Sequence, residues 1–128
     1  MIVLDTHAWI WSVSDPGLLS ARAREAMASA KRLAVPAISC WELAMLVAKG
    51  RLGLDRAPHA WIRQALAGDR LVLVELSPEI ATVAASLGDG FPGDPADRLI
   101  VASALDLKAP LVTKDKRLRG WRGVRTLW

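Results

Sequence analysis

Residues 2–7 read Ile-Val-Leu-Asp-Thr-His, and the fold turns on how that stretch is taken. Three consecutive aliphatics leave no polar face, which suits a short strand buried on both sides. Asp5 stands where that strand stops, and Thr6 to Val13 reads as a short helix closed by the turn-rich Ser14-Asp15-Pro16-Gly17. The same passage from strand to helix recurs outward along the chain. Leu33 to Pro36 predicts a second strand, followed by a helix over Ser39 to Lys49 that ends at Gly50, the residue best suited to a left-handed position. Leu71 to Leu76 predicts a third strand, whose Val72-Leu73-Val74 interior suggests burial on both faces. Pro110 to Thr113 predicts a fourth, and Val124 to Leu127 a short edge strand.

Helices fill the intervals. Ser20 to Arg32 is dense in alanine, arginine and methionine, and Pro58 to Ala67 has proline near its first turn and Gly68 after its last. Ser77-Pro78 starts a helix to about Leu87, Gly88 to Gly93 is a loop by composition, and Asp94-Pro95 starts a helix to Leu107. Strands alternating with helices predict an α/β fold with a central, mainly parallel sheet of four or five strands and helices on both faces.

The chain has 128 residues, 52% of them hydrophobic and 23% charged, which is enough apolar material for one domain over 1–128 and excludes disorder over most of its length. No apolar run approaches the ~20 residues needed to cross a bilayer. The amino end has no basic and apolar leader pattern, so a signal peptide is not expected. Cys40 is the only cysteine and can form no internal bridge, which fits a reducing, cytoplasmic setting. The net charge of +4 and pI near 9.8 favour a polyanionic partner such as nucleic acid. Much of the excess lies in Lys114, Lys116, Arg117, Arg119, Arg122 and Arg125, with Asp115 the only acid and Trp121 among them. That stripe could track a phosphate backbone and stack a base, or be a solvated tail.

Four acids stand at element junctions: Asp5, Glu42, Asp97 and Asp115. Each has an ordinary explanation. Asp5 could cap a helix, Glu42 lies three residues after Ser39 as in a capping box, Asp94 and Asp97 fit an N-cap and a third-position acid, and Asp115 could be a solvated turn. Their surroundings argue for more. Glu42 is the only charged side chain between Pro36 and Ala48, and Asp5 follows three aliphatics, positions where an unpaired carboxylate is costly. Ligands of an open parallel sheet gather outside the carboxyl ends of its strands, where Asp5 and Asp115 are expected. Carboxylates converging there would repel one another, and a hard divalent cation with oxygen ligands, magnesium or else manganese, relieves that repulsion.

Four segments carry a family likeness: Ile2-Val-Leu-Asp5-Thr6-His7, Ile38-Ser39-Cys-Trp41-Glu42-Leu43-Ala44, Asp94-Pro95-Ala96-Asp97-Arg98-Leu-Ile, and Leu111-Val112-Thr113-Lys114-Asp115. In this order and spacing the chain resembles, over essentially its whole length, the PIN-domain ribonucleases, specifically the VapC-type toxins of bacterial toxin-antitoxin pairs. The resemblance implies a PIN-like three-layer α/β/α sandwich and a magnesium-dependent endoribonuclease. It makes Asp5, Glu42, Asp97 and Asp115 the metal-binding quartet, with Thr6, Ser39 and Thr113 orienting it and Asp94 assisting it or only capping a helix. With RNA as substrate, Lys114, Lys116, Arg117, Arg119 and Arg122 of the basic stripe are expected to hold it, and Arg98 to salt-bridge an acid of the site in preference to touching phosphate, while His7 is assigned no chemistry. The resemblance also implies a homodimer and a cognate antitoxin, for which Trp9, Trp11, Trp41, Met45 and Trp61 are contact candidates, although core packing is the default for each.

Other readings fit less well. A receiver-like signalling domain needs an acidic pair after the first strand and an aspartate at a middle strand end, and Leu71 to Leu76 supplies none. An aspartate-nucleophile phosphatase wants Asp-x-Asp where this chain has Asp5-Thr6-His7. An inert PIN-like RNA-binding module, or a PIN-type RNA-processing nuclease that is no toxin, would keep the same architecture. Thiol chemistry is poorly supported, because neither His7 nor His59 lies near Cys40 in sequence.

Overall fold

Ile2 and Leu4 pack into one hydrophobic cluster and Val3, between them, into another, as the two-residue period of a strand requires. The same split divides Leu33 and Val35 from Ala34, and Val112 from Leu111. These residues belong to the inner strands of a sheet whose two faces are both covered. The computed structural model describes residues 1–128. Its strands are β1 (Ile2–Leu4), β2 (Leu33–Pro36), β3 (Leu71–Val74), β4 (Leu111–Val112) and β5 (Thr126–Leu127), in the order β3-β2-β1-β4-β5. All four pairings are parallel.

On one face lie α1 (Thr6–Ser14), α2 (Ala21–Ser29), α3 (Ala37–Ala48) and α4 (Pro58–Ala65), contributing Trp9, Met27, Leu43 and Trp61 to a core with Leu4 and Val35. On the other lie α5 (Pro78–Ala85), α6 (Pro95–Asp106) and α7 (Lys116–Gly120), and here Ile100, Val101 and Leu118 meet Val3 and Leu111. The arrangement is the expected three-layer sandwich. After β1 the chain builds outward through β2 to β3, then returns to place β4 on the other flank of β1. The sheet therefore has a switch point between β1 and β4, and the crevice outside their carboxyl ends is where such folds accept ligands.

Several boundaries differ from expectation. The third strand stops at Val74 and is not buried on both faces: it is an edge strand pairing only β2, with Leu73 40% and Leu76 58% exposed. The second helix ends at Ser29, because Arg32 already gives its carbonyl to the Ile2 amide at the start of the sheet. The third begins at Ala37 with Pro36 as N-cap, which places Ser39 and Glu42 inside the helix and leaves no capping box between them. Gly50 takes the left-handed conformation, φ 71°, as its place after a helix predicts. The helix α7 is hidden in the basic stripe, since its one apolar anchor, Leu118, is too little for a periodic signal.

Leu118 is fully buried, so its packing holds α7 against the sheet. Leu118→Ala should lower unfolding free energy by about 2–5 kcal/mol in a denaturant titration, and a loss well under 1 kcal/mol would show that α7 is not docked.

Candidate active site

The crevice at the switch point is closed by one short hydrogen bond. Thr113, just beyond β4 and fully buried, donates its hydroxyl to Asp5 Oδ2 at 2.6 Å, across residues 108 apart in sequence. The same hydroxyl accepts from the Asp115 amide at 3.1 Å, so Thr113 sets both the Asp5 carboxylate and the turn that carries Asp115. The other oxygen of Asp5 accepts from the Thr6 amide at 2.8 Å, making Asp5 the N-cap of α1.

Glu42 reaches the crevice from α3. Its Oε1 accepts from the buried Thr6 hydroxyl at 2.7 Å, and Thr6 Oγ1 lies 2.8 Å from Ser39 Oγ. Each hydroxyl has one proton, so Thr6 donating to Glu42 while Ser39 donates to Thr6 satisfies the chain. Ser39 and Glu42, one turn apart on α3, thus face Thr6 rather than capping their own helix.

Asp94 and Asp97 form a true capping box at the start of α6: the Asp97 amide donates to Asp94 Oδ1 at 2.8 Å and the Asp94 amide to Asp97 Oδ2 at 3.2 Å. Asp97 is nonetheless buried, 9% exposed, and crowded from the preceding loop. A Cβ added to Gly93 would lie 2.6 Å from Asp97 Cβ and 2.9 Å from its Oδ2. Gly93 is a residue of this site that loop composition alone does not single out.

Asp115 caps α7 through the Arg117 amide at 2.9 Å. The Arg117 side chain turns back to hold Asp115 Oδ2 at 2.8 Å and stands 3.6 Å from Asp97 Oδ2. Arg117 therefore sits between two acids, whereas the basic stripe groups it with the RNA-binding cations. The salt bridge expected of Arg98 is absent. Its guanidinium donates to the Gly88 and Ala84 carbonyls and lies over the Phe91 ring, holding the loop before α6. Trp121 is likewise no free stacking surface: it packs edge-on against Phe91, and Gly123 has no room for a Cβ beneath it. Lys114, Lys116, Arg119 and Arg122 are exposed on and around α7. His7 is exposed with its ring against Trp11, and burial pushes the half-buried Cys40 thiol up, away from thiolate chemistry.

The acids feel one another. Burial above all pushes the Asp97 carboxyl up to about 7, with Asp94, Asp5 and Glu42 adding to the rise and the Asp94 amide opposing it. Asp5 is raised chiefly by burial, against the Thr113 and Thr6 bonds, and Asp115 adds to the rise. Glu42 is raised by burial too, with Asp5 and Asp94 contributing. Only Asp115 is lowered, by Arg117. The structure thus brings the four acids and Asp94 near enough to influence one another, although no three His, Cys, Asp or Glu side chains are grouped so as to hold an ion among them. The donors suit a hard divalent cation: all are oxygens, their charge is relieved mostly by neutral hydrogen bonds, and such an ion needs only one or two carboxylates while keeping its waters.

The sign of the pH effect follows. Asp97 binds its proton more tightly folded than unfolded, so its contribution to the stability of the ion-free protein is complete at acid pH and is lost as pH rises through about 7. The ion-free chain should melt lower at pH 8 than at pH 6, and Asp97→Asn should flatten that difference. An unchanged pH profile in the Asn variant would contradict the assignment.

Comparison with known proteins agrees with the geometry. Residues 2–122 match the PIN domain family. The chain is 41% identical over 129 residues to Ribonuclease VapC22 of Mycobacterium tuberculosis (strain ATCC 25618 / H37Rv), covering 99% of this chain and 98% of the relative. Among solved structures, a toxin-antitoxin complex from Klebsiella pneumoniae contains a similar chain at 22% identity and TM-score 0.68, covering 97% of this chain and 95% of that one. VapBC2 from Rickettsia felis, bound to a DNA fragment from its promoter, contains another at 18% identity and TM-score 0.70, covering 98% and 97%. These likenesses extend over nearly the whole chain, which belongs to the PIN-domain family, in its VapC-type ribonuclease branch.

Proposed function

We propose that the chain is a divalent-metal-dependent endoribonuclease and the toxin of a toxin-antitoxin pair, with Asp5, Glu42, Asp97 and Asp115 as its working carboxylates. The observation that carries this reading is the meeting of acids from four distant segments at the sheet's switch point, where burial first and neighbouring carboxylates second raise the proton affinity of Asp5, Glu42 and Asp97, while Arg117 lowers that of Asp115. Identity of 41% to a named ribonuclease supports RNA as the substrate. Magnesium, or manganese in its place, suits the all-oxygen donor set, and when bound it supplies an acidified water and charge relief at the phosphoryl oxygen.

The chain's own residues prepare the rest. Thr113 and Thr6 fix Asp5 and Glu42 by hydrogen bonds that remain when the carboxylates ionise, and Ser39 fixes Thr6. Asp94 holds Asp97 through the capping box, so its role is to position. Lys114, Lys116, Arg119 and Arg122 draw the RNA backbone towards the acids, which would otherwise repel it. Arg117 pairs with Asp115 and reaches Asp97 at 3.6 Å, which leaves Asp5 and Glu42 without a salt-bridge partner.

The solved toxin-antitoxin complex of the same fold supports an antitoxin as the protein partner. We further propose that the chain works as a homodimer in the cytoplasm, its lone cysteine, Cys40, being compatible with a reducing compartment. No helix is long and apolar enough to cross a membrane. Of the aromatic contact candidates, Trp9 and Trp61 are core residues, whereas Trp41 is 56% exposed beside Leu76 at a 220 Å³ groove lined by Ile38, Val74 and Leu99. An apolar patch of this kind is the natural seat of a protein contact.

Asp5→Asn or Asp97→Asn should reduce magnesium-dependent cleavage of single-stranded RNA by more than about 100-fold with the fold intact by circular dichroism. Thr113→Val, which removes both the hydrogen bond to Asp5 and the acceptor of the Asp115 amide, should cost about 10- to 100-fold. Parental cleavage by either Asn variant would remove that residue from the site.

A further inference from the structure

Beyond the acids, a second site lies where α2, α7 and β5 meet. A pocket of about 450 Å³ is lined by Arg22, Lys116, Arg119, Gly120, Thr126 and Trp128. Three cations converge there and no acid lines it. Arg32, Arg70 and Arg98 donate to backbone carbonyls and Arg56 and Arg117 pair with aspartates, whereas Arg51, Arg122 and Arg125 stand singly on the surface. Arg22, Lys116 and Arg119 make no ion pair, and no hydrogen bond from their side chains is formed within the chain. Like charges gathered without a counter-ion are unfavourable, and an anion filling the pocket reverses that cost.

A row of rings joins this pocket to the acids. His7 follows Asp5 and Thr6 at the head of α1, and its ring lies 5.5 Å from that of Trp11, tilted by 52°. Trp11 lies 6.1 Å from Trp128, tilted by 58°, and Lys114 Nζ stands 5.5 Å above the Trp11 ring. Neither pair is stacked face to face. Rings, the two tryptophans partly buried and Lys114 over one of them, running from carboxylates to a cationic pocket, have the make-up of single-strand nucleic acid platforms, in which bases stack on aromatics and the backbone follows the charge.

We propose that His7, Trp11 and Trp128 form a base-stacking track for single-stranded RNA and that the Arg22, Lys116 and Arg119 pocket holds a backbone phosphate of the strand beyond the cleavage site. This inference rests on the nuclease reading and deepens it. A duplex is a poor fit, because its bases are already stacked and cannot lie on the rings. Arg22 and Trp128 are not in the stripe that sequence marks as RNA-binding. They join it only because α2 and β5 flank α7.

The test is binding of a short fluorescent single-stranded RNA to the full chain, followed by anisotropy with divalent ions chelated so that nothing is cut. Trp128→Ala should weaken binding about tenfold with an unchanged salt slope, and Trp128→Phe should restore most of it. Arg22→Ala with Lys116→Ala, both exposed and safe for the fold, should weaken binding at low salt and reduce the slope of log K against log salt by about 0.7 for each phosphate no longer neutralised. The same sequence as a duplex should bind more weakly and be indifferent to Trp128→Ala. Affinity within about twofold of the parent for both the Ala variant of Trp128 and the double variant would overturn the proposal, and so would a duplex bound as tightly as the single strand. An antitoxin surface at this place would give that first result. Failure of the nuclease reading is separable: the parent would then cut no RNA when magnesium is returned, while the Trp128-dependent affinity persisted.

Discussion

The structure depends on holding negative charge inside the carboxyl edge of a parallel sheet. Asp5 and Thr113 meet there only because β4 lies beside β1, and the 2.6 Å bond between them ties the first and fourth strands at the switch point. The carboxylates that gather around that bond are supported by hydroxyls and backbone amides, which satisfy lone pairs without cancelling charge. Arg117 is the one cation paired with them, and it serves Asp115 first. A site arranged in this way retains an affinity for cations that the fold itself does not satisfy.

The ordinary and the functional explanations of these acids prove to be compatible. Asp5, Asp94 and Asp115 are N-caps of α1, α6 and α7, so three helix amino termini point into one crevice. Their dipoles favour the anionic forms locally while burial opposes them, and the balance leaves Asp97 pushed up to about 7. Capping is thus the means by which these carboxylates are aimed. Glu42 differs, because it caps nothing and owes its position to Thr6 and Ser39.

Much of this is legible in the sequence. Strands as apolar as Ile2-Val3-Leu4 announce burial on both faces, and an acid directly after them can lie only at the sheet's carboxyl edge. What escapes the sequence depends on packing between segments far apart. Whether Val72-Leu73-Val74 is central or at an edge is settled by its neighbours and not by its composition. Arg98 stands next to Asp97 in sequence yet points to the Gly88 carbonyl, because successive helical residues face different directions. Trp121 lies within the basic stripe but is claimed by Phe91, while Trp128 and Arg22, outside it, complete the cationic pocket. Gly93 matters through the nearness of Asp97 and Phe91, a fact of packing invisible in a loop of glycines and prolines.

The decisive measurement is crystallographic. Crystals of the full chain grown near pH 8 with manganese, studied by anomalous scattering, should show an ion in the crevice between the Asp5 and Asp97 carboxylates, absent from crystals of Asp97→Asn. An ion found only elsewhere on the surface, or no ion at concentrations that support RNA cleavage, would contradict the claim that these acids converge to share a cation.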